Sequence, residues 1–184
     1  MYSYPEPEKL TLPVDTYKLG DLYSFGRRIR RHIIFWATHL GDDIAAPAGT
    51  TVKAIGKGKV VWAQMRKGSE EHRDWGGVVI IGHTNPRDHS LFYSVYGHLA
   101  QLAVKEDEMV TGGQTLGTVA AAQTPENGWW KHAHLHFALY TGPWKHQILP
   151  GWARPEHRFM RGSSKQTKLA WWHSPRKFIS RYSG

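Results

Sequence analysis

Three short stretches of this 184-residue chain carry side chains able to hold a metal ion or move a proton. The chain has twelve histidines and no cysteine, so a metal site must be built from imidazoles and carboxylates, and spacing must select among the histidines. In the first stretch, His39-Leu40-Gly41-Asp42-Asp43-Ile44-Ala45-Ala46-Pro47, an imidazole and a carboxylate stand four positions apart. In a straight strand that separation is about 13 Å, whereas zinc–ligand bonds are only about 2 Å long. A helix would bring the two together, but Gly41 and Pro47 oppose one. A segment that turns at Gly41 and then enters a strand fits better. Taken alone, the stretch reads more simply as a surface turn with an ordinary histidine and two aspartates.

The second stretch is His132-Ala133-His134-Leu135-His136-Phe137. Strand alternation puts its three histidines on one face, about 7 Å apart, with Ala133, Leu135 and Phe137 on the other. The apolar face implies a buried, fixed strand, on which one imidazole can bind a metal while its neighbour reaches a substrate. The third stretch, Tyr93-Ser94-Val95-Tyr96-Gly97-His98-Leu99, ends an aromatic run on a glycine and a histidine. On its own, His98 reads as a surface or capping residue.

The elements that must position these residues read as β-structure. Lys59–Ala63, Gly77–Gly82, Leu91–Tyr96, Thr115–Val119 and His132–Tyr140 carry short apolar, β-branched or alternating runs, several bounded by glycine. Val78-Val79-Ile80-Ile81 suits a strand buried on both faces. The polar spacers between several runs suggest antiparallel hairpins rather than βαβ units. Strong helical signals are absent from residues 40–140. A short helix is expected at Gln166–Trp172 and a helical turn after Pro175. Residues 1–24, with three prolines, read as an N-terminal arm, and residues 25–184 as one domain. Within it, residues 141–170 form a long excursion rich in Trp, His, Arg, Pro and Gly, and residues 171–184 close the chain. Loops of that length are usually functional or disordered.

The net charge of +9 favours a polyanionic partner such as nucleic acid, an anionic membrane or a bacterial cell wall, or else marks a solvated surface. No specific nucleic-acid motif accompanies it. No run approaches the roughly 18 apolar residues of a membrane span, and the N-terminus lacks the basic and apolar regions of a secretory signal.

Taken in order, the motifs resemble the M23 family of zinc metallopeptidases, the lysostaphin and LytM-type peptidoglycan endopeptidases. The family pattern of H-x-G-x-D with a small apolar run, then Tyr-x-His-Leu, then His-x-His is matched by His39–Gly49, by Tyr96-Gly97-His98-Leu99 and by His134-Leu135-His136-Phe137. The glycine-rich Glu108–Gly117 resembles the turn between the last two motifs. Phe25-Gly26-Arg27 resembles the family's opening segment, and Ser174–Ile179 its closing one. The match covers roughly residues 25–140 and 174–179.

The resemblance implies a mainly β, antiparallel, sandwich-like domain with few short helices. It implies zinc as cofactor, held by His39, Asp43 and His136, with His98 and His134 as the catalytic pair. Three protein ligands leave a fourth position open, as catalytic zinc requires. His134 is expected to serve as base and His98 on the oxyanion side. The implied substrate is a peptide bond in peptidoglycan stem peptides or cross-bridges, and the implied location the cell envelope or outside the cell. Tyr96, His132 and Trp144 are candidate substrate contacts, and Trp152, His146 and Arg154 could line a groove or form a lid. The alternative is a non-catalytic relative that binds cell wall or activates an amidase.

Two features depart from the family pattern. Asp42 stands where an apolar residue is common, and could accept a hydrogen bond from a histidine N–H. His132 adds a third histidine, so that His132 and His134 could form the H-x-H pair by spacing alone. Phe137 favours His134 and His136.

Overall fold

The structure, a computed structural model, describes residues 3–31, 34–154 and 169–182. Twelve strands are present among them: β1 (Arg28–Arg31), β2 (Ile34–His39), β3 (Asp42–Ala45), β4 (Thr51–Lys53), β5 (Gly58–Arg66), β6 (Gly76–Thr84), β7 (Leu91–Leu102), β8 (Met109–Val110), β9 (Thr115–Val119), β10 (His134–Tyr140), β11 (Trp152–Ala153) and β12 (Trp172–His173). One α-helix, α1 (Pro175–Ser180), follows. The main sheet runs β12-β10-β7-β6-β5-β8, with β3 also paired to β10, and β9 pairing both β4 and β7. A second, three-stranded sheet has the order β1-β2-β11. Every pairing is antiparallel.

The apolar run in β6 is covered on both faces, as its composition implies. Val79 and Ile81 pack with Phe92, Tyr96, Leu135 and Phe137. Val78 and Ile80 pack on the opposite side with Tyr93, Val95, Tyr140 and Leu149. Each fully buried side chain of this size contributes roughly 1.5–3 kcal/mol. These two layers clamp β7 and β10, the strands that carry the candidate histidines.

Several expectations need correction. Residues 3–23, read as an arm, form no strand or helix. Tyr4, Leu10, Val14 and Tyr17 are buried, because their apolar side chains close the outer faces of the sheet. The aromatic strand continues to Leu102 instead of ending at Tyr96, because a bulge at Gly97–His98 absorbs the irregularity. The last histidine strand starts at His134, not His132. Pairing with β3 begins at His134, opposite Ala45, and the His132 carbonyl is taken up by His134 and Asn127. The expected helix at Gln166–Trp172 falls partly outside the described residues; what is described is a 3-10 turn at Leu169–Trp171. Within the excursion, Trp152–Ala153 is a strand paired to β2, and residues 155–168 lie outside the described residues. The helical turn after Pro175 is α1, whose Phe178 and Ile179 enter the core.

One histidine is purely a core residue. His83 is fully buried, stacks on Phe92 and donates from Nδ1 to the Lys57 carbonyl at 2.8 Å. Its Nε2 therefore accepts from the Ser94 hydroxyl, also at 2.8 Å. Burial pushes its pKa down to about 4, against roughly 6.5 for an unfolded histidine. The unfolded chain thus binds the proton first. The contribution is complete above pH 6.5 or so and is lost as pH falls toward 4, about 3 kcal/mol in all. Unfolding free energies measured from pH 7.5 to 4.5 should show this slope, and His83→Gln should flatten it. An equal slope in the variant would sink the assignment.

Candidate metal centre

β10 is the middle of the site because it pairs on both edges. On one side His136 lies opposite Asp43 of β3, and on the other opposite Gly97 of β7. Directly opposed residues of an antiparallel pair share a face, so Asp43 is delivered beside His136 without any helix. His39 arrives from the second sheet. Its backbone N–H donates to Arg27 O at 2.9 Å, and its carbonyl accepts from Gly26 N at 2.9 Å. The chain then turns through Leu40-Gly41 into β3, as the glycine implied.

The turn at Gly41 runs tightly against β10. A Cβ there would stand 2.5 Å from Phe137 O, 2.8 Å from His136 Nε2 and 2.9 Å from Ala138 Cβ. Gly41→Ala must therefore displace β10 or the turn carrying His39. It is expected to weaken metal binding tenfold or more and to cost about 1–3 kcal/mol of stability. Competition with a chromogenic chelator measures the first, and unchanged affinity would refute this role for the close approach.

The three side chains named by the sequence converge, and all three are buried. His39 Nε2 lies 3.2 Å from Asp43 Oδ1, His136 Nδ1 lies 2.9 Å from the same oxygen, and the two ring nitrogens are 3.1 Å apart. His39 Nδ1 faces the Ser24 carbonyl at 3.3 Å, so it carries the proton and leaves Nε2 as a lone pair. A lone pair, a carboxylate oxygen and a second ring nitrogen thus face one point. Tetrahedral ligands with bonds of about 2.0–2.1 Å stand roughly 3.3 Å apart. The triangle has the size and donor set of a zinc site, and the group fits these residues.

Electrostatics agree. Burial alone would raise the Asp43 pKa, but the hydrogen bond from His136 Nδ1 and the His39 imidazole beside it outweigh burial and hold the carboxyl well below the usual range. Burial lowers His136, partly countered by Asp43. Trp152 packs on the His39 ring at 4.5 Å between centroids, and Trp75 meets His136 edge-on at 5.0 Å. These aromatic walls fix the imidazoles and limit water.

The two remaining histidines flank the triangle. His134 donates from Nδ1 to the His132 carbonyl at 2.8 Å. Its Nε2 therefore holds a lone pair, 3.8 Å from Asp43 Oδ1. His98 sits in a bulge of β7, where Gly97 and His98 together oppose the single residue between Gly77 and Val79. Its φ of +66° is left-handed, a costly conformation for a non-glycine residue that recurs at functional sites. The bulge turns the ring toward His134, 4.5 Å away between centroids, with Trp75 stacked on it at 5.8 Å. Burial first, then the neighbouring imidazoles of His134 and His136, hold its pKa well below the ordinary value.

The remaining expectations divide. His132 is exposed and lines the open cleft of about 250 Å³ over the site. Trp152 also lines it. Tyr96 does not contact that cleft: it is fully buried, and its hydroxyl accepts from Ile55 N at 3.0 Å, a core role. Trp144 stacks on Tyr93 in the second core layer, away from the cleft. Asp42 accepts from the Tyr17 hydroxyl and Phe25 N, both at 2.8 Å, rather than from a histidine. It ties the N-terminal stretch to the strand bearing Asp43. Sequence reasoning missed Leu22, Tyr23, Arg73, Trp130 and Lys131, which complete the cleft wall. The adjacent Trp129-Trp130-Lys131, just before the histidine cluster, was the available signal.

Residues 37–148 match the sequence profile of Peptidase family M23. The chain belongs to that family. Among curated members, the DD-carboxypeptidase/endopeptidase Mpg of Neisseria meningitidis is 33% identical over 113 residues, covering 61% of this chain and 22% of that protein. The peptidoglycan DD-endopeptidase ShyC of Vibrio cholerae is 30% identical over 146 residues, covering 79% of this chain and 30% of that protein. The chain thus spans less than a third of the length of these M23 relatives. The catalytic domain of lysostaphin from Staphylococcus simulans superposes with a TM-score of 0.55 at 22% identity, over 89% of this chain and 92% of that domain. That likeness shows that the antiparallel architecture is the family's own.

Proposed function

We propose that this chain is a zinc-dependent endopeptidase that cleaves peptide bonds in bacterial peptidoglycan. The observation that carries the reading is the His39–Asp43–His136 triangle with the free Nε2 of His134 beside it. His39, Asp43 and His136 would hold the zinc, whose Lewis acidity, when bound, polarises a carbonyl and acidifies water.

The chain's own residues supply the rest. With Nδ1 committed to the His132 carbonyl, His134 Nε2 is the lone pair available to take the proton of the attacking water. His98, kept neutral by burial, donates an N–H to the oxygen on which charge develops. Trp75 and Trp152 hold the ligand rings in place and exclude bulk water. The net charge of +9 suits an anionic wall, and such a substrate places the protein in the cell envelope or outside the cell. The names of Mpg and ShyC support DD-cross-links as the bond class.

Mass spectrometry of fragments released from purified sacculi, with and without chelator, tests the reading. Cross-link cleavage that chelator abolishes and added zinc restores is the expected result. A purified chain that holds no zinc and leaves sacculi intact would point instead to a non-catalytic binding or amidase-activating role.

A further inference from the structure

Two cations in the cleft wall have no counter-ion among the described residues. Arg73 and Lys131 both line the cleft and are exposed. Among the described residues neither makes an ion pair, whereas their neighbours do: Arg66 pairs with Asp74 at 3.0 Å, and Lys67 with Glu126 at 3.0 Å. The one carboxylate lining the cleft is Asp43, which is committed to His39 and His136.

Arg73 is also held in position. Its guanidinium lies over the Trp130 ring, 5.3 Å from the centroid. Trp130 is fixed by an Nε1–H hydrogen bond to Asp74 O at 2.9 Å, and meets the His98 ring edge-on at 6.0 Å. A path of packed rings thus runs from His98 to a preorganised guanidinium at the rim. Such a group pairs a carboxylate bidentately, and Lys131 adds a second positive charge.

We propose that Arg73 and Lys131 bind a free carboxylate of the substrate close to the scissile amide, which makes them specificity-determining residues. This rests on the hydrolase reading above and narrows its substrate. A D-alanyl-diaminopimelate cross-link carries a carboxylate on the carbon that bears the amide nitrogen. A glycine bridge offers none there. The cations therefore select the diaminopimelate type.

The test uses the zinc-loaded chain and two synthetic cross-linked peptides that differ only at this group, free carboxylate against carboxamide. The wild type should favour the free acid by about three- to tenfold in kcat/KM. Arg73→Gln and Lys131→Gln should each bring the ratio toward one, the effect residing mainly in KM, while Arg73→Lys should retain part of it. Retention by Arg73→Lys separates charge from loss of packing on Trp130. Equal cleavage of both peptides by the wild type, or an unaltered ratio in both glutamine variants, would overturn the proposal. Binding is read separately in His134→Ala, by quenching of tryptophan fluorescence. If neither peptide is cleaved, the hydrolase reading fails, and the binding ratio still decides whether the carboxylate is recognised.

Discussion

His98→Ala is expected to lower turnover on purified sacculi by about 10²–10⁴-fold while zinc content stays near stoichiometric. The separation follows from geometry. His98 is not part of the triangle formed by His39, Asp43 and His136, and packs instead against His134 on one side and Trp75 on the other. Its left-handed backbone in the bulge means that the fold holds this residue there at a conformational cost. Alanine keeps the bulge strained but removes the N–H that would meet the developing oxyanion. Metal analysis and rates on the same preparation decide the matter. Full activity in the variant would remove His98 from the chemistry, and loss of zinc would make it a structural support of the ligands.

Removing a ligand should act in the reverse order, on metal first. Asp43→Ala is expected to reduce zinc affinity by well over 100-fold, since losing an outer-shell partner alone costs 10–100-fold. One oxygen of Asp43 lies 2.9 Å from His136 and 3.2 Å from His39, so its removal leaves two buried imidazoles facing each other without a counter-charge. His39→Ala should behave similarly, with less disturbance of β3 because His39 stands on the other sheet. Zinc measured after dialysis against a weak chelator reads the effect. An Asp43→Ala protein that retained stoichiometric zinc and activity would place the metal elsewhere.

His39, Asp43 and His136 were named by the resemblance of the ordered motifs to a family, since residue type alone, with twelve histidines in the chain, does not single them out. The alternation of His134-Leu135-His136-Phe137 was direct, because strand period alone assigns faces. The choice between the two H-x-H pairs was not settled by period. Phe137 favoured His134 and His136, and in the pairing register β10 starts at His134 and leaves His132 exposed at the cleft edge.

Local pattern in the chain by itself determined the β character, the turn at Gly41 and the doubly buried strand around Val78–Ile81, whereas the candidate residues at the centre came from the resemblance of the ordered motifs to a family. The first three follow from side-chain type and spacing over a few positions, which short-range sterics and burial dictate. Only the tertiary structure decided that Tyr4, Leu10, Val14 and Tyr17 enter the core, that Tyr96 is buried with its hydroxyl on Ile55 N, that Trp144 stacks on Tyr93, and that Asp42 anchors Tyr17. It alone placed Arg73 over Trp130 beside His98. Those outcomes depend on contacts between residues tens of positions apart, whose partners no local pattern names. The candidate metal centre lies between the two cases: its residues stand in the motifs, but the distances near 3 Å between them arise only where the turn at Gly41 packs His39 and Asp43 against β10.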